Sequence, residues 1–267
     1  MKAPIARAVA ALLGSGLIVV LPLMSAGVVG LSGTVSARDA QRPVVFDTVP
    51  EALWQPADLG WYSSNWAGYA VDGGPYRSVG GQWTVPRVAV GNGRGFSALW
   101  IGVDGFSNTT LIQAGTEADV YGGATHYFAW WEILPEPAVV IRGLAIHAGD
   151  RISAGIVRVS SGRWRITIRD ARGGSYATTR SYPGPGTSAE WIEEAPVVDD
   201  RPTPLAVHGT VVFDDATVNG SSPHLQAADG GAMIRRGVVA DIPSAPDEDG
   251  NGFSLSELGI ASPGPGY

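Results

Sequence analysis

From Asn65 onward, apolar and small residues alternate with polar ones in short runs, and each run is closed by glycine, proline, asparagine or aspartate. A period of two buries one set of side chains and leaves the other in solvent, as a half-buried strand does; a helix would repeat at 3.6. Such runs lie at 65–71, 81–85, 97–103, 109–115, 127–133, 151–159, 163–170, 176–181, 189–194, 207–218 and 233–238. A hairpin is expected around Ser160-Ser161-Gly162, and a last strand over 253–258. No stretch has helical spacing, and no unit recurs at the period of a propeller or solenoid. With 37 Gly and 19 Pro to make tight turns, the chain is expected to be all-β, a single-domain β-sandwich.

The ends read differently. Lys2 and Arg7 precede an uncharged, mostly apolar run from Ala8 to Leu31, and Val35-Ser36-Ala37 is a small-residue cleavage site. Residues 1–37 are therefore expected to be a signal peptide, and the protein to be secreted without stable membrane association afterwards. A retained anchor is the alternative, which Pro22 and the glycines of the run weaken. Residues 38–63 read as a short leader, 64–258 as the folded domain and 259–267 as a flexible tail. The chain has no cysteine, so an exported fold must hold by packing and strand pairing alone, and thiol catalysis is excluded. A formal charge of -7 with a pI near 5.0 argues against nucleic acid as a partner, and a monomer is expected.

The familiar hydrolase signatures are missing: there is no Gly-x-Ser-x-Gly elbow, no His-Glu-x-x-His helix and no Asp-Thr/Ser-Gly pair. His126, His147, His208 and His224 are scattered and are expected on the surface or in turns. Asp247, Asp249, Asn251 and Gly252 open like a calcium loop, but the twelfth position is Leu258, with Glu257 one residue early. No metal or other cofactor is expected. What stands out is a set of polar groups inside apolar, aromatic segments, where a charge is avoided unless it is paired or used. These are Trp100 and Asp104 in Leu99-Trp-Ile-Gly-Val-Asp-Gly105, Gln113 in Leu111-Ile-Gln-Ala-Gly115, Glu132 in Tyr127-Phe-Ala-Trp-Trp-Glu-Ile-Leu-Pro135, and Glu194 closing Ala189-Glu-Trp-Ile-Glu-Glu194. Together they point to one shared polar cleft.

Those segments, with Ser64-Asn65-Trp66-Ala67-Gly68 ahead of them and in the same order, resemble the glutamic peptidases, the eqolisins of peptidase family G1. The resemblance covers nearly the whole domain from Ser64 to Leu258. It implies a concanavalin A-like, jelly-roll type β-sandwich of two bent antiparallel sheets, with the site on the concave outer face of one of them. It carries the family's catalytic glutamine onto Gln113 and its glutamate onto Glu194, with Trp100, Asp104 and Glu132 lining the cleft. Fungal members commonly carry disulfides and this chain has none, a departure that touches loop structure more than catalysis.

The chemistry is reasonable on the residues themselves. A carboxylate such as Glu194 can deprotonate water at acid pH, where a histidine base would already be protonated. The uncharged amide of Gln113 can donate to a developing oxyanion, and Trp100 and Trp130 can wall the bound peptide. A lectin-like glycan-binding module, or a glycoside hydrolase working with paired carboxylates, is the competing function. Strand parity places Glu190, Ile192 and Glu194 on one face and Ala189, Trp191 and Glu193 on the other; Glu193, near the strand's end before Pro196, is expected to escape into solvent. With no thiol, serine triad or zinc motif, proteolysis should survive chelators, thiol reagents and serine-directed acylators. Loss of activity on chelation, restored by adding metal back, would remove the Glu/Gln assignment.

Overall fold

The structure, a computed structural model, describes residues 59–90, 93–198 and 201–257. The expected signal peptide, most of the leader and the tail lie outside those residues. Among the described residues the strands are β1 (Trp61–Ser63), β2 (Trp66–Asp72), β3 (Ser78–Thr84), β4 (Ala98–Val103), β5 (Ile112–Tyr121), β6 (Ala124–Ile133), β7 (Val139–Val140), β8 (Arg151–Ser160) and β9 (Arg163–Asp170). They continue as β10 (Ser175–Ser181), β11 (Ser188–Glu194), β12 (Val197–Val198), β13 (Arg201–Pro202), β14 (Val211–Val218), β15 (Gly230–Arg235), β16 (Val238–Pro243) and β17 (Phe253–Glu257). One turn of 3-10 helix, Ala227–Asp229, is the only helical element described.

Apart from β1, which branches off at β15, and the separate β12–β13 pair, the strands follow one hydrogen-bonded path, β10-β9-β8-β3-β14-β17-β16-β15-β2-β11-β4-β5-β6-β7, which doubles back so that β3 packs on β4 and β8 on β5. The result is an all-β sandwich, as the alternation requires. One layer contributes Val79, Trp83, Ile152, Ile156, Trp164, Ile166 and Phe213 to the core, and the other contributes Tyr69, Leu99, Ile101, Ile112, Ala114, Trp131 and Trp191. Indole nitrogens join the layers: Trp191 Nε1 donates to Gly80 O at 2.8 Å, Trp83 Nε1 to Thr116 Oγ1 at 2.8 Å and Trp131 Nε1 to the Tyr176 hydroxyl at 3.1 Å. Each bond satisfies a donor that would otherwise be stranded in the core, and fixes the two layers in register.

Three elements depart from the sequence reading. The segment expected to stop at 115 continues as β5 to Tyr121 and turns through Gly122 and Gly123, at φ 61° and 75°, straight into β6. Positive φ at both turn positions suits glycine and matches the twist of the flanking strands, so β5 and β6 pair from Ile112–Ile133 to Tyr121–Ala124. The run at 233–238 is a hairpin, β15 turning at Arg236-Gly237 into β16. The folded body also begins ahead of Ser64, because β1 pairs in parallel with β15 and the buried Trp61 donates to Asp229 O at 2.9 Å.

The largest departure is Glu193, which does not escape to solvent. It is fully buried on the core side of β11, accepts from Ser97 Oγ at 2.7 Å and faces His208 Nε2 at 2.6 Å. His208, expected at the surface, has a side chain with no exposure at all. Burial alone would raise the Glu193 pKa, but the His208 charge and the hydrogen bonds from His208, Asp241 and Ser97 hold it below the usual carboxylate range. Burial alone would lower the His208 pKa, but the Glu193 carboxylate raises it to about 9. A histidine raised in this way contributes its stability in full below its unfolded value of about 6.5 and loses it as pH rises through the folded value. His208→Ala should therefore cost roughly 3–5 kcal/mol near pH 6, the scale for orphaning a buried charge. The cost should shrink toward pH 4, where Glu193 can take a proton, and toward pH 10; a loss independent of pH in denaturant titrations would remove the ion-pair account.

Candidate active site

The site lies on the outer face of the second layer, where the residues that alternate with the core positions meet. Across β11, β4, β5 and β6 three rows follow from the register: Glu190–Gly102–Gln113–Glu132, Ile192–Trp100–Gly115–Trp130 and Glu194–Ala98–Glu117–Phe128. On the far side of β11, β2 places Trp66 beside Glu194. The middle row closes because position 115 has no side chain: a Cβ there would stand 2.2 Å from Leu99 O and 2.6 Å from Trp100 Cβ. Trp100 meets Trp66 edge to face at 4.8 Å, and with Phe128, Trp130 and Ile192 they form an apolar floor between the polar rows.

In the first row Gln113 Nε2 donates to Glu132 Oε2 at 2.6 Å. Burial pushes the Glu132 pKa well above the usual carboxylate range; the Gln113 bond opposes the rise and the Glu194 charge adds to it. In the third row Glu194 is held from both sides. Asn65 Nδ2 donates to its Oε1 at 3.2 Å and Trp100 Nε1 to its Oε2 at 3.0 Å. Burial raises its pKa to about 7, against the donors Trp66, Trp100 and Asn65, which favour the ionised form. The Trp66 indole faces the carboxyl without closing a hydrogen bond of regular geometry. Glu194 keeps 7% of its surface exposed whereas Glu132 keeps none, so Glu194 is the carboxyl of the two that reaches solvent.

Of the sequence-predicted residues, the structure brings Gln113, Glu132, Trp100, Trp130 and Glu194 onto this one face. It does not bring Asp104 there. At φ 69° the chain turns out of β4, and the buried Asp104 carboxylate accepts from Asn108 Nδ2 at 2.7 Å, Tyr182 OH at 2.7 Å, Gly186 N at 2.9 Å and Thr187 N at 2.8 Å. That is a clamp between two loops, with its acceptor capacity taken up. Two acids that the sequence reading passed over do lie on the face, Glu117 and Asp119. Burial first, then the Asp119 charge, pushes Glu117 well above its ordinary pKa, and burial brings Asp119 up to about 8. The signal for them was the alternation through Thr116-Glu117-Ala118-Asp119-Val120, which continues the parity of Gln113. Among the described residues no cluster of His, Cys, Asp and Glu is arranged to hold a metal ion.

The family model of the Peptidase A4 family matches residues 64–238. The chain belongs to that family, the glutamic peptidases. It is 30% identical over 189 residues to aspergillopepsin-2 of Aspergillus niger, covering 60% of this chain and 67% of that protein. With scytalidopepsin B of Scytalidium lignicola it is 31% identical over 137 residues, which span 49% of this chain and 51% of the relative. A crystal structure of scytalido-glutamic peptidase with a transition state analog inhibitor superposes with a TM-score of 0.62 at 24% identity, covering 73% of this chain and 98% of that one, and supports the fold. As a glutamic peptidase the chain is an endopeptidase, and the glycan-binding alternative falls away. The Trp100 donor makes a direct test of the site's electrostatics. Trp100→Phe removes a hydrogen bond that favours the Glu194 carboxylate, so the Glu194 titration, followed by NMR, should move to higher pH; a shift to lower pH would break the account.

Proposed function

We propose that this glutamic peptidase is a secreted enzyme that hydrolyses extended or unfolded polypeptides on the acid side of neutrality, with Glu194 as general base and Gln113 as oxyanion donor. The observation that carries the reading is the division of labour between two carboxyls near one amide. Where two acids influence each other, environments that push their pKa values apart assign the base and the acid. Glu194 has donors and solvent contact, and is the first to ionise. Glu132 is fully enclosed, and burial holds it well above the ordinary carboxylate range.

In the attacking step the water oxygen bonds to the peptide carbonyl carbon and its proton passes to Glu194. The carbonyl oxygen takes up the displaced electron pair, and the second Nε2 hydrogen of Gln113, the one not directed at Glu132, donates to that oxyanion. The tetrahedral intermediate then collapses: the C–N bond breaks, and protonated Glu194 gives its proton to the departing nitrogen. No covalent enzyme intermediate arises. Because the base must be ionised, kcat/KM should rise with pH through a midpoint between the ordinary glutamate value and about 7.

Incubation of the purified protein with an unfolded protein at pH 4 to 6 should yield peptide fragments. Glu194→Gln should abolish cleavage with the fold intact, and Gln113→Ala should lower kcat by about a hundredfold, the scale of removing an oxyanion donor. Glu193→Gln, on the opposite face, should lower the unfolding midpoint while leaving cleavage by the folded fraction largely intact. A Glu194→Gln protein that is folded by circular dichroism and still cleaves would remove Glu194 from the mechanism.

A further inference from the structure

Beside the proposed pair stands a third carboxyl that the mechanism does not use. Glu190 is completely buried, and neither of its oxygens closes a hydrogen bond of regular geometry; the neighbouring Ser188 hydroxyl, which favours the ionised form of Glu190, closes none of regular geometry either. Glu190 is directly across from Gly102, which is directly across from Gln113. Gly102 leaves the lane between them open to long side chains. A Cβ at that position would stand 3.0 Å from Glu190 Oε2, so the carboxyl reaches over β4 toward β5. Trp100 Cζ3 at 2.8 Å and Leu111 Cδ1 at 3.0 Å from the same point close the lane to other groups. On the other side Gln113 Oε1 is buried and has no protein partner, while its Nε2 is bonded to Glu132.

Buried oxygens without partners are costly, and two such groups placed along one row of a sheet can satisfy each other, an option that the Ser188 hydroxyl does not offer to Gln113. We propose that Glu190 is a positioning residue for Gln113: a hydrogen bond to Gln113 Oε1, donated by the Glu190 acid itself or by one water held between them, locks the amide with Nε2 turned toward Glu132 and the reacting carbonyl. Burial, above all other causes, keeps Glu190 well above the ordinary carboxylate pKa, which supplies the acid proton. Without this bond only Glu132 holds the amide, and a protonated Glu132 can serve either end of it, so a flipped amide would present an acceptor to the oxyanion. The inference rests on Gln113 being the oxyanion donor.

The test is a double-mutant cycle on kcat with a denaturation midpoint measured for every variant. Glu190→Leu should lower kcat by about tenfold, the order of one lost neutral hydrogen bond, with little change in KM. Glu190→Gln, which still binds a shared water, should restore most of that loss. In the Gln113→Ala background, Glu190→Leu should cause no further fall in kcat, although its effect on the denaturation midpoint should persist. An equal tenfold fall in both backgrounds would overturn the inference and leave the Glu/Gln assignment standing. If Gln113→Ala itself were as active as the parent, the assignment would fail instead. Should Glu190→Leu not fold, Glu190→Met, which keeps the volume and removes the donor, tests the same contact: its kcat loss must also vanish in the Gln113→Ala background, and an equal loss in both counts against the inference.

Discussion

Acids buried without cations must keep their protons, and that constraint organises this molecule. Glu117, Asp119, Glu132 and Glu190 are all buried, Glu117 with 8% of its surface exposed, and burial lifts the pKa of each; Asp241 is lifted too, although the His208 charge opposes the rise. In each case the folded form prefers the neutral acid, so each contributes stability that is fully present below its unfolded value of about 4 and fades as pH rises through the folded one. An acid medium is thus the condition under which the outer face of the second layer is least strained. Glu194 is the exception that the proposed chemistry needs, since the Asn65 and Trp100 donors favour its charge.

The core holds this face in place through β11. Its alternate residues serve two masters: Trp191 anchors the strand to β3 across the sandwich, and Glu193 ties its end to His208, while Glu190, Ile192 and Glu194 look outward. A shift of one residue would exchange the two sets, placing the catalytic candidate against the core and an indole on the outer face. The buried ion pair and the indole bond therefore act together as a register lock.

Much of this was legible in the chain because a period of two is unambiguous wherever a strand is long enough. Parity alone put Glu194 and Glu193 on opposite faces, and the aromatic segments marked the neighbourhood of Gln113, Trp100 and Trp130. What was hidden depended on partners far along the chain or on single backbone angles. Glu193 was misplaced because parity says nothing about His208, a cation that folding brings beneath it. Asp104 was misplaced because one left-handed residue redirects its carboxylate. Glu117 and Asp119 were passed over once the strand was ended at Gly115, although the paired glycines at 122 and 123 marked its true end.

The proton-holding acids also change what unfolding is as a reaction. Above pH 5 the native chain carries protons that the open chain would give up, so denaturation releases hydrogen ions to the solvent rather than absorbing them. The heat measured for that transition then includes the ionisation enthalpy of whatever buffer receives them. The same unfolding event will register different enthalpies in acetate and in an amine buffer at one pH, and the difference counts the protons that the fold had been keeping.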